Sequence, residues 1–205
     1  MPYSAEHKRE TRAKIVEAAR ILFNRYGFED VTIDMVMRDA GLTRGGFYNH
    51  FASKEELYAA AVSSFLMGRG AQWRGDAGVD PSRPGPDMAR RMITGYLSPD
   101  HLGDLDGQCP MIALPSDIAR ANPQVRKAYQ LLLTSMVGLF ENGLSENEMP
   151  DGAGPARDRA LALAALCVGG MVLARTLPDS ELAEELRAAA HRTAVAMSGG
   201  ALEAG

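Results

Sequence analysis

The sequence predicts an all-α protein, an N-terminal three-helix module followed by a larger helical domain, about nine helices in all. Three observations lead there. Apolar residues recur at helical spacing along the 205 residues and nowhere alternate with the period of two that a half-buried strand requires. Helix boundaries are marked by their chemistry: Thr32 and Ser53 precede periodic runs, Gly41 follows one, and Pro110 and Pro123 stand where first helical turns tolerate proline. A hydrophobic content of 46% is ample for a packed core.

The first helix places Ile15, Ala18, Ala19, Leu22, Phe23 and Tyr26 on one face. Thr32 is the N-cap of a second helix whose buried stripe is Ile33, Val36, Met37 and Ala40. Gly41 sits where a left-handed C-terminal cap is needed, and Leu42 plugs the corner. Thr43 then caps a third, very short helix carrying Arg44, Tyr48, Asn49 and His50, and Ser53 with Glu56 forms a capping box that restarts the chain. Two short helices joined by a tight turn make the helix-turn-helix plan, whose second helix enters the major groove of DNA. A helix of under two turns, bounded so closely by caps, is rarely needed just to fill a core.

Beyond it, a long connecting helix runs from Lys54 through Leu57, Ala61 and Phe65 to near Trp73, and Gly75 to Pro86 is a loop. Further helices cover Asp87 to Leu97, Pro110 to about Arg120, and a segment from Asn122-Pro123 whose apolar face is Val125, Tyr129, Leu132, Leu133, Met136, Val137 and Phe140. His101 to Gly107 is irregular. Glu146 to Pro155 is a second loop, the last two helices span Ala156 to Leu177 and Ser180 to Met197, and the Gly199-Gly200 tail frays.

Ala18-Ala19, Leu22-Phe23, Tyr26-Gly27-Phe28, Thr32, Ala40-Gly41-Leu42, Phe47-Tyr48, His50-Phe51, Lys54 and Leu57, spread over residues 12 to 57, resemble the DNA-binding domain of the TetR/AcrR family of transcriptional regulators. The resemblance implies a DNA-binding domain over residues 1–55 and a ligand-binding and dimerisation domain over 56–200. It also implies a homodimeric, cytoplasmic regulator, most often a repressor, released from a palindromic operator by a small-molecule inducer. By the same resemblance, Tyr48 and Lys54 grip phosphates and His50 lies on the groove-facing side. The DNA-binding set is Thr32, Thr43, Arg44, Gly45, Gly46, Tyr48, Asn49, His50 and Lys54. Within it Arg44 is the best candidate for reading guanine O6 and N7, and Asn49 can pair with adenine. Gly45 and Gly46 each cost about 1 kcal/mol of helix stability relative to alanine, justified if the backbone approaches DNA closely. Many relatives carry a hydroxyl or methyl at position 46; its absence leaves specificity to few side chains.

A net charge of −4 argues against general nucleic-acid affinity, so DNA contact is local. Residues 1–28 supply a basic lead-in of Lys8, Arg9, Arg12, Lys14, Arg20 and Arg25 against Glu6, Glu10 and Glu17. Cys109 and Cys167 form neither a disulfide framework nor a metal-ligand spacing, which suits a reducing cytoplasm. Asp100, His101, Asp104 and Asp106 match no metal-binding pattern and read as a solvated loop. No catalytic constellation and no cofactor motif stands out, so an enzyme is not expected; nor is a purely structural module.

The uncharged run Ala160 to Ala174 is shorter than the ~20 residues that span a bilayer and reads as a buried or interface helix. A dimer interface is expected at Ala165, Val168, Gly169, Val172, Leu186 and Ala190, in line with the helix pair that builds the dimer in the resembling family. An apolar or aromatic inducer is expected among Trp73, Met92, Tyr96, Met111 and Phe140, since methionine and aromatic side chains adapt to irregular apolar sites. Cys109 before Pro110 stands at a helix start that can stabilise a thiolate, and the alternative it offers is a redox- or electrophile-sensing repressor. Cys167, inside the apolar run, reads as structural.

Overall fold

The computed structural model of the chain describes residues 5–144 and 154–199. Among the described residues there are eleven α-helices, one 3-10 helix and no strand. Most of the expected loop from Glu146, and Gly200, lie outside them. The α-helices are α1 (Ala5–Asp30), α2 (Ile33–Asp39), α3 (Lys54–Met67), α4 (Arg69–Asp76), α5 (Pro86–Tyr96), α6 (Pro99–Gly103), α7 (Pro110–Ala113), α8 (Pro115–Arg120), α9 (Pro123–Gly143), α10 (Ala156–Thr176) and α11 (Glu181–Met197), with the 3-10 helix Arg44–Asn49 between α2 and α3. Five of the helices, α5 to α9, open on proline, whose fixed φ suits a first turn and whose missing N–H has no partner to lose there.

The chain divides into two compact units. One comprises Met1–Arg69 and Leu105–Leu131, the other Gly70–Asp104 and Leu132–Gly205. A single cut near residue 55 therefore does not follow the packing, because a segment fifty residues downstream joins the N-terminal module. Its core includes Ile15, Ala19, Phe23, Val36, Met37, Phe47, Leu57 and Val62, and Leu114, Ile118 and Val125 from that segment.

Polar bonds reinforce the packing along α1. Asn24 Nδ2 donates to the carbonyl of Gln108 at 2.7 Å, and the buried Arg20 guanidinium bonds the carbonyl of Asp106 and both oxygens of Glu17. Arg25 makes a two-pronged ion pair with the Asp106 carboxylate. The last of these bonds sits at Gly27, where φ is +76° and the α1 helix is interrupted. There the N–H of Phe28 donates to Asp117 Oδ2 at 2.9 Å, and a Cβ on Gly27 would lie 2.9 Å from that same oxygen. Only glycine meets both demands, a left-handed backbone and the close approach of a carboxylate.

The second unit is built on α5, α10 and α11. Met88, Met92, Ile93, Tyr96, Leu163, Cys167, Met171 and Ala194 are among its buried residues. A Cβ on Gly170 of α10 would lie 2.7 Å from the Cβ of Ala190 on α11, so small residues set this helix crossing. Ala190, 5% exposed, is thereby spent inside the monomer and corrects its assignment to the dimer interface. Arg187 bonds the carbonyl of Leu97 and the Glu184 carboxylate, closing the C-terminal end of α5.

Several expected elements are cut shorter. The helix expected from Lys54 to Trp73 breaks at Gly68 into α3 and α4, and that from Pro110 to Arg120 breaks at Leu114, ahead of Pro115. His101 does not lie in a solvated loop; Ser98 caps α6, and His101 is buried with Nδ1 3.0 Å from the carbonyl oxygen of Tyr96. The helix α10 is 21 residues long and apolar enough to cross a membrane by length and composition. Its packing on α11 and its flanking Arg157, Asp158, Arg159 and Arg175 fit the expected core or interface helix.

Gly27→Ala should destabilise the protein by about 1–3 kcal/mol, the cost of a strained left-handed residue, measured by urea denaturation. A change of under about 0.5 kcal/mol, the range of neutral surface substitutions, would show that the turn does not need glycine.

Candidate nucleic-acid interface

Thr32 Oγ1 accepts the N–H of Met35 at 3.2 Å and starts α2. Gly41 then turns the chain at φ +70°, as a left-handed cap does. Ser53 Oγ accepts from the N–H of Glu56 at 3.2 Å, while the Glu56 carboxylate reaches back to the N–H of Ala52 at 2.8 Å, one residue before the box partner expected. Thr43 makes no side-chain cap bond, contrary to expectation, and the helix it precedes is 3-10 rather than α. Six residues containing Gly45 and Gly46 have little to hold α-geometry. Neither glycine has a positive φ; a Cβ on Gly45 would meet nothing within 4 Å, and one on Gly46 would meet Met37 Cε at an ordinary 3.6 Å. Folding alone therefore does not require glycine at either position.

Phe47 is the anchor of this helix. It is fully buried, stacked edge-on to Tyr48 at 5.2 Å and tilted against Phe51 at 5.8 Å. With Phe47 inward, Arg44, Gly45, Tyr48 and Asn49 are exposed, Tyr48 by 63%. The face expected to meet DNA is thus outward. Two of its cations are already engaged. Arg44 pairs with the Asp34 carboxylate on the surface, an exposed pair of the kind worth about 0–1 kcal/mol. Lys54 Nζ lies 4.2 Å from the centroid of the Phe28 ring and donates to the carbonyl of Glu29 at 3.3 Å.

His50 closes the helix, partly buried, its Nδ1 without a hydrogen-bond partner among the described residues. Burial, and then the positive charges of Lys8 and Arg12, hold its pKa below the usual 6.5. Arg12 itself lies over the Phe51 ring at 4.3 Å. The first turns of α1 thus bring cations to the end of the short helix. The basic lead-in is smaller than the sequence suggests, because Arg20 and Arg25 are turned toward Glu17 and Asp106.

Residues 15–61 match the family described as bacterial regulatory proteins, tetR family. Over 61 residues the chain is 41% identical to the uncharacterized HTH-type transcriptional regulator YfiR of Bacillus subtilis, covering 30% of each protein. Over 79 residues it is 35% identical to the HTH-type transcriptional regulator SrpR of Pseudomonas putida, covering 38% of this chain and 37% of that one. Over residues 15–61 the chain is thus similar to the DNA-binding domain of TetR-family regulators. The chain matches about a third of the length of these two curated relatives. Solved TetR-like structures extend the likeness of fold to most of the chain. The reduced form of Escherichia coli NemR aligns at a TM-score of 0.70 and 18% identity, over 88% of this chain and 95% of that one. A TetR regulator from Chloroflexus aurantiacus aligns at 0.68 and 23%, over 95% and 94%.

Outside residues 15–61 the expected sites fare differently. Trp73, Tyr96 and His101 form an aromatic cluster in the second unit, with centroids 5.0–6.0 Å apart. Met92 and Phe140 are buried in the same unit, whereas Met111 belongs to the first, so the five expected inducer contacts do not share one unit. Cys109 is the N-cap residue of the four-residue α7 and is 1% exposed, which shields its thiol from reagents in solvent. Burial pushes the Cys167 thiol up to about 12, as fits a structural cysteine. No cluster of metal-ligating side chains occurs among the described residues. Sequence reasoning missed Asp106, Gln108 and Asp117; the only local hint was Gly27, a glycine within a helical pattern that no cap explained.

The lowered pKa of His50 gives a signed prediction. In the free protein burial, and then Lys8 and Arg12, disfavour the imidazolium; a bound phosphate would favour it, so binding would take up a proton between the two pKa values. Affinity for duplex DNA should fall as pH rises from about 6 to about 8 at constant ionic strength, and His50→Gln should flatten the profile. Fluorescence anisotropy checks this; an identical slope in His50→Gln would remove His50 from the interface.

Proposed function

We propose that the protein is a homodimeric, cytoplasmic repressor of transcription. It binds a palindromic operator in double-stranded DNA and leaves it when an apolar or aromatic small molecule occupies the helical domain beyond residue 55. The observation that carries this reading is the short helix itself, pinned inward by Phe47 and presenting Arg44, Tyr48 and Asn49 outward within a TetR-family domain. Tyr48 and Lys54 act on phosphates, Arg44 and Asn49 on base edges. Lys54 exchanges the Glu29 carbonyl and the Phe28 ring for a phosphate oxygen, a stronger partner for an ammonium than a neutral carbonyl.

Dimerisation is supported by α10, whose uncommitted face is apolar. Leu161 and Leu173 are 47% and 51% exposed, Ala165 is exposed, Val168, Gly169 and Val172 are half-buried, and a Cβ on Gly169 would meet nothing within 4 Å. Leu186 on α11 is also half-buried, and Leu182 is 52% exposed. A two-fold contact through this face uses the same patch on both subunits and gives the operator its symmetry. The inducer belongs among Trp73, Met92, Tyr96 and Phe140 of the second unit, and acts only as far as it binds the released conformer more tightly than the operator-bound one. The operator must weaken inducer binding by the same factor.

Gel shift against the DNA upstream of the protein's own gene tests the reading. Tyr48→Phe with Lys54→Ala should weaken binding alike across operator variants and reduce the salt slope by about 1; unchanged affinity in the folded double variant contradicts it. Gly169→Glu should yield monomers by light scattering that no longer shift the operator, and a variant that still dimerises would place the interface elsewhere.

A further inference from the structure

We propose that Asp34 is a positioning residue for base reading: it holds the Arg44 guanidinium so that one edge of the fork faces a guanine in the major groove. That role rests on the proposed DNA-contacting reading of the short helix and adds a residue that lies outside it. Asp34 stands in the first turn of α2, ten residues before Arg44. Its Oδ2 accepts an N–H of Arg44 Nη1 across the turn at Gly41. Both side chains are exposed, Arg44 by 63% and Asp34 by 54%.

The helix α2 does not depend on this carboxylate for its cap. Thr32 Oγ1 already accepts the N–H of Met35, and Arg44 is the one hydrogen-bond and ion-pair partner of Asp34 among the described residues. Arg44 in turn has little else to steady it. Gly45 and Gly46 follow it with no side chain to pack against, and Asp34 is its one ion-pair partner among the described residues. Tethering a long side chain beforehand lowers the entropy lost when it binds. The atoms engaged decide what remains. A guanidinium has five N–H donors, and Asp34 takes one on Nη1. The Nε and Nη2 donors, unbonded among the described residues, form the other edge and match guanine O6 and N7. A carboxylate on a face that meets phosphates also weakens attachment to any sequence. The neutral pair is therefore poor at holding phosphate, which needs charge, and good at holding guanine, which needs orientation. Docking displaces water from the pair, and the lower local dielectric strengthens its bond.

The test measures binding of the full-length protein by fluorescence anisotropy at fixed salt. The duplexes are the operator upstream of its own gene, that operator with each base pair replaced in turn in both half-sites, and an unrelated duplex of equal length. One G·C pair should cost about tenfold in affinity when replaced, and Arg44→Ala should make the protein indifferent to it. Asp34→Ala should cut the preference at that same pair by at least about threefold while tightening binding to the unrelated duplex. Asp34→Asn, which keeps the shape without the charge, should act in the same direction, and Asp34→Glu should restore part of the preference. In the Arg44→Ala background Asp34→Ala should alter no base preference, because the carboxylate acts through the guanidinium. Urea denaturation confirms that each variant is folded. An unchanged preference in Asp34→Ala and Asp34→Asn, or an equal change with and without Arg44, would overturn the proposal and leave the DNA-binding reading standing. A parent protein that binds the operator no better than the unrelated duplex would overturn both.

Discussion

The bond from the Phe28 N–H to the Asp117 carboxylate spans 89 residues of sequence and joins the end of α1 to α8. It forms at a left-handed Gly27, where a side chain of any size would collide with the acceptor. A hydrogen bond to a charged group contributes about 1.5–3 kcal/mol, and this one is flanked by the Asn24–Gln108 bond and by the anchoring of Arg20 and Arg25 on residue 106. Leu114, Ile118 and Val125 then complete the apolar core under α1 and α3. The helix-turn-helix is thus not a free-standing trihelical module; part of its core is supplied by a segment that follows it by fifty residues. Whatever moves residues 105–131 moves the base on which the short helix rests.

That base sets the electrostatics of the outward face of the short helix. Consumption of Arg20 and Arg25 by Glu17 and Asp106 concentrates the remaining α1 cations at its first turns, near His50 and Phe51. The outward face keeps its cations in exchangeable contacts, Arg44 on Asp34 and Lys54 on Glu29 and Phe28. Such exposed contacts orient the side chains at small cost and, in the proposed complex, are the ones a phosphate or a base edge would replace or share. Modest local charge on a chain of net charge −4 favours recognition by geometry over general attraction.

What was legible in the sequence is what local chemistry controls. Thr32, Gly41 and Ser53 mark helix ends because a cap is decided within about four residues, and the apolar stripes of α1, α2 and α9 follow from periodicity alone. The exposure of Arg44, Tyr48 and Asn49 follows once Phe47 is buried. Thr43 was misleading because two glycines behind it favour a 3-10 turn that leaves its hydroxyl unused. The break at Gly68 was not marked, since glycine is tolerated within helices as well as at their ends. The attachment of residues 105–131 to α1 was invisible, for it rests on partners more than eighty residues apart whose types, Asn, Asp and Gln, carry no periodic signal. Ala190 was misplaced because small residues serve a close crossing within a subunit as well as one between subunits.

The most direct measurement is native-state hydrogen exchange on the full chain and on Asp117→Ala. If residues 105–131 and the helix-turn-helix share one cooperative core, protection of the amides in α2 and α3 should fall together with those of α8 and early α9 in the variant, by a common increment of about 1.5–3 kcal/mol. Loss of protection confined to α8 and α9, with α2 and α3 unchanged, would contradict the shared core and restore the helix-turn-helix to an independent module.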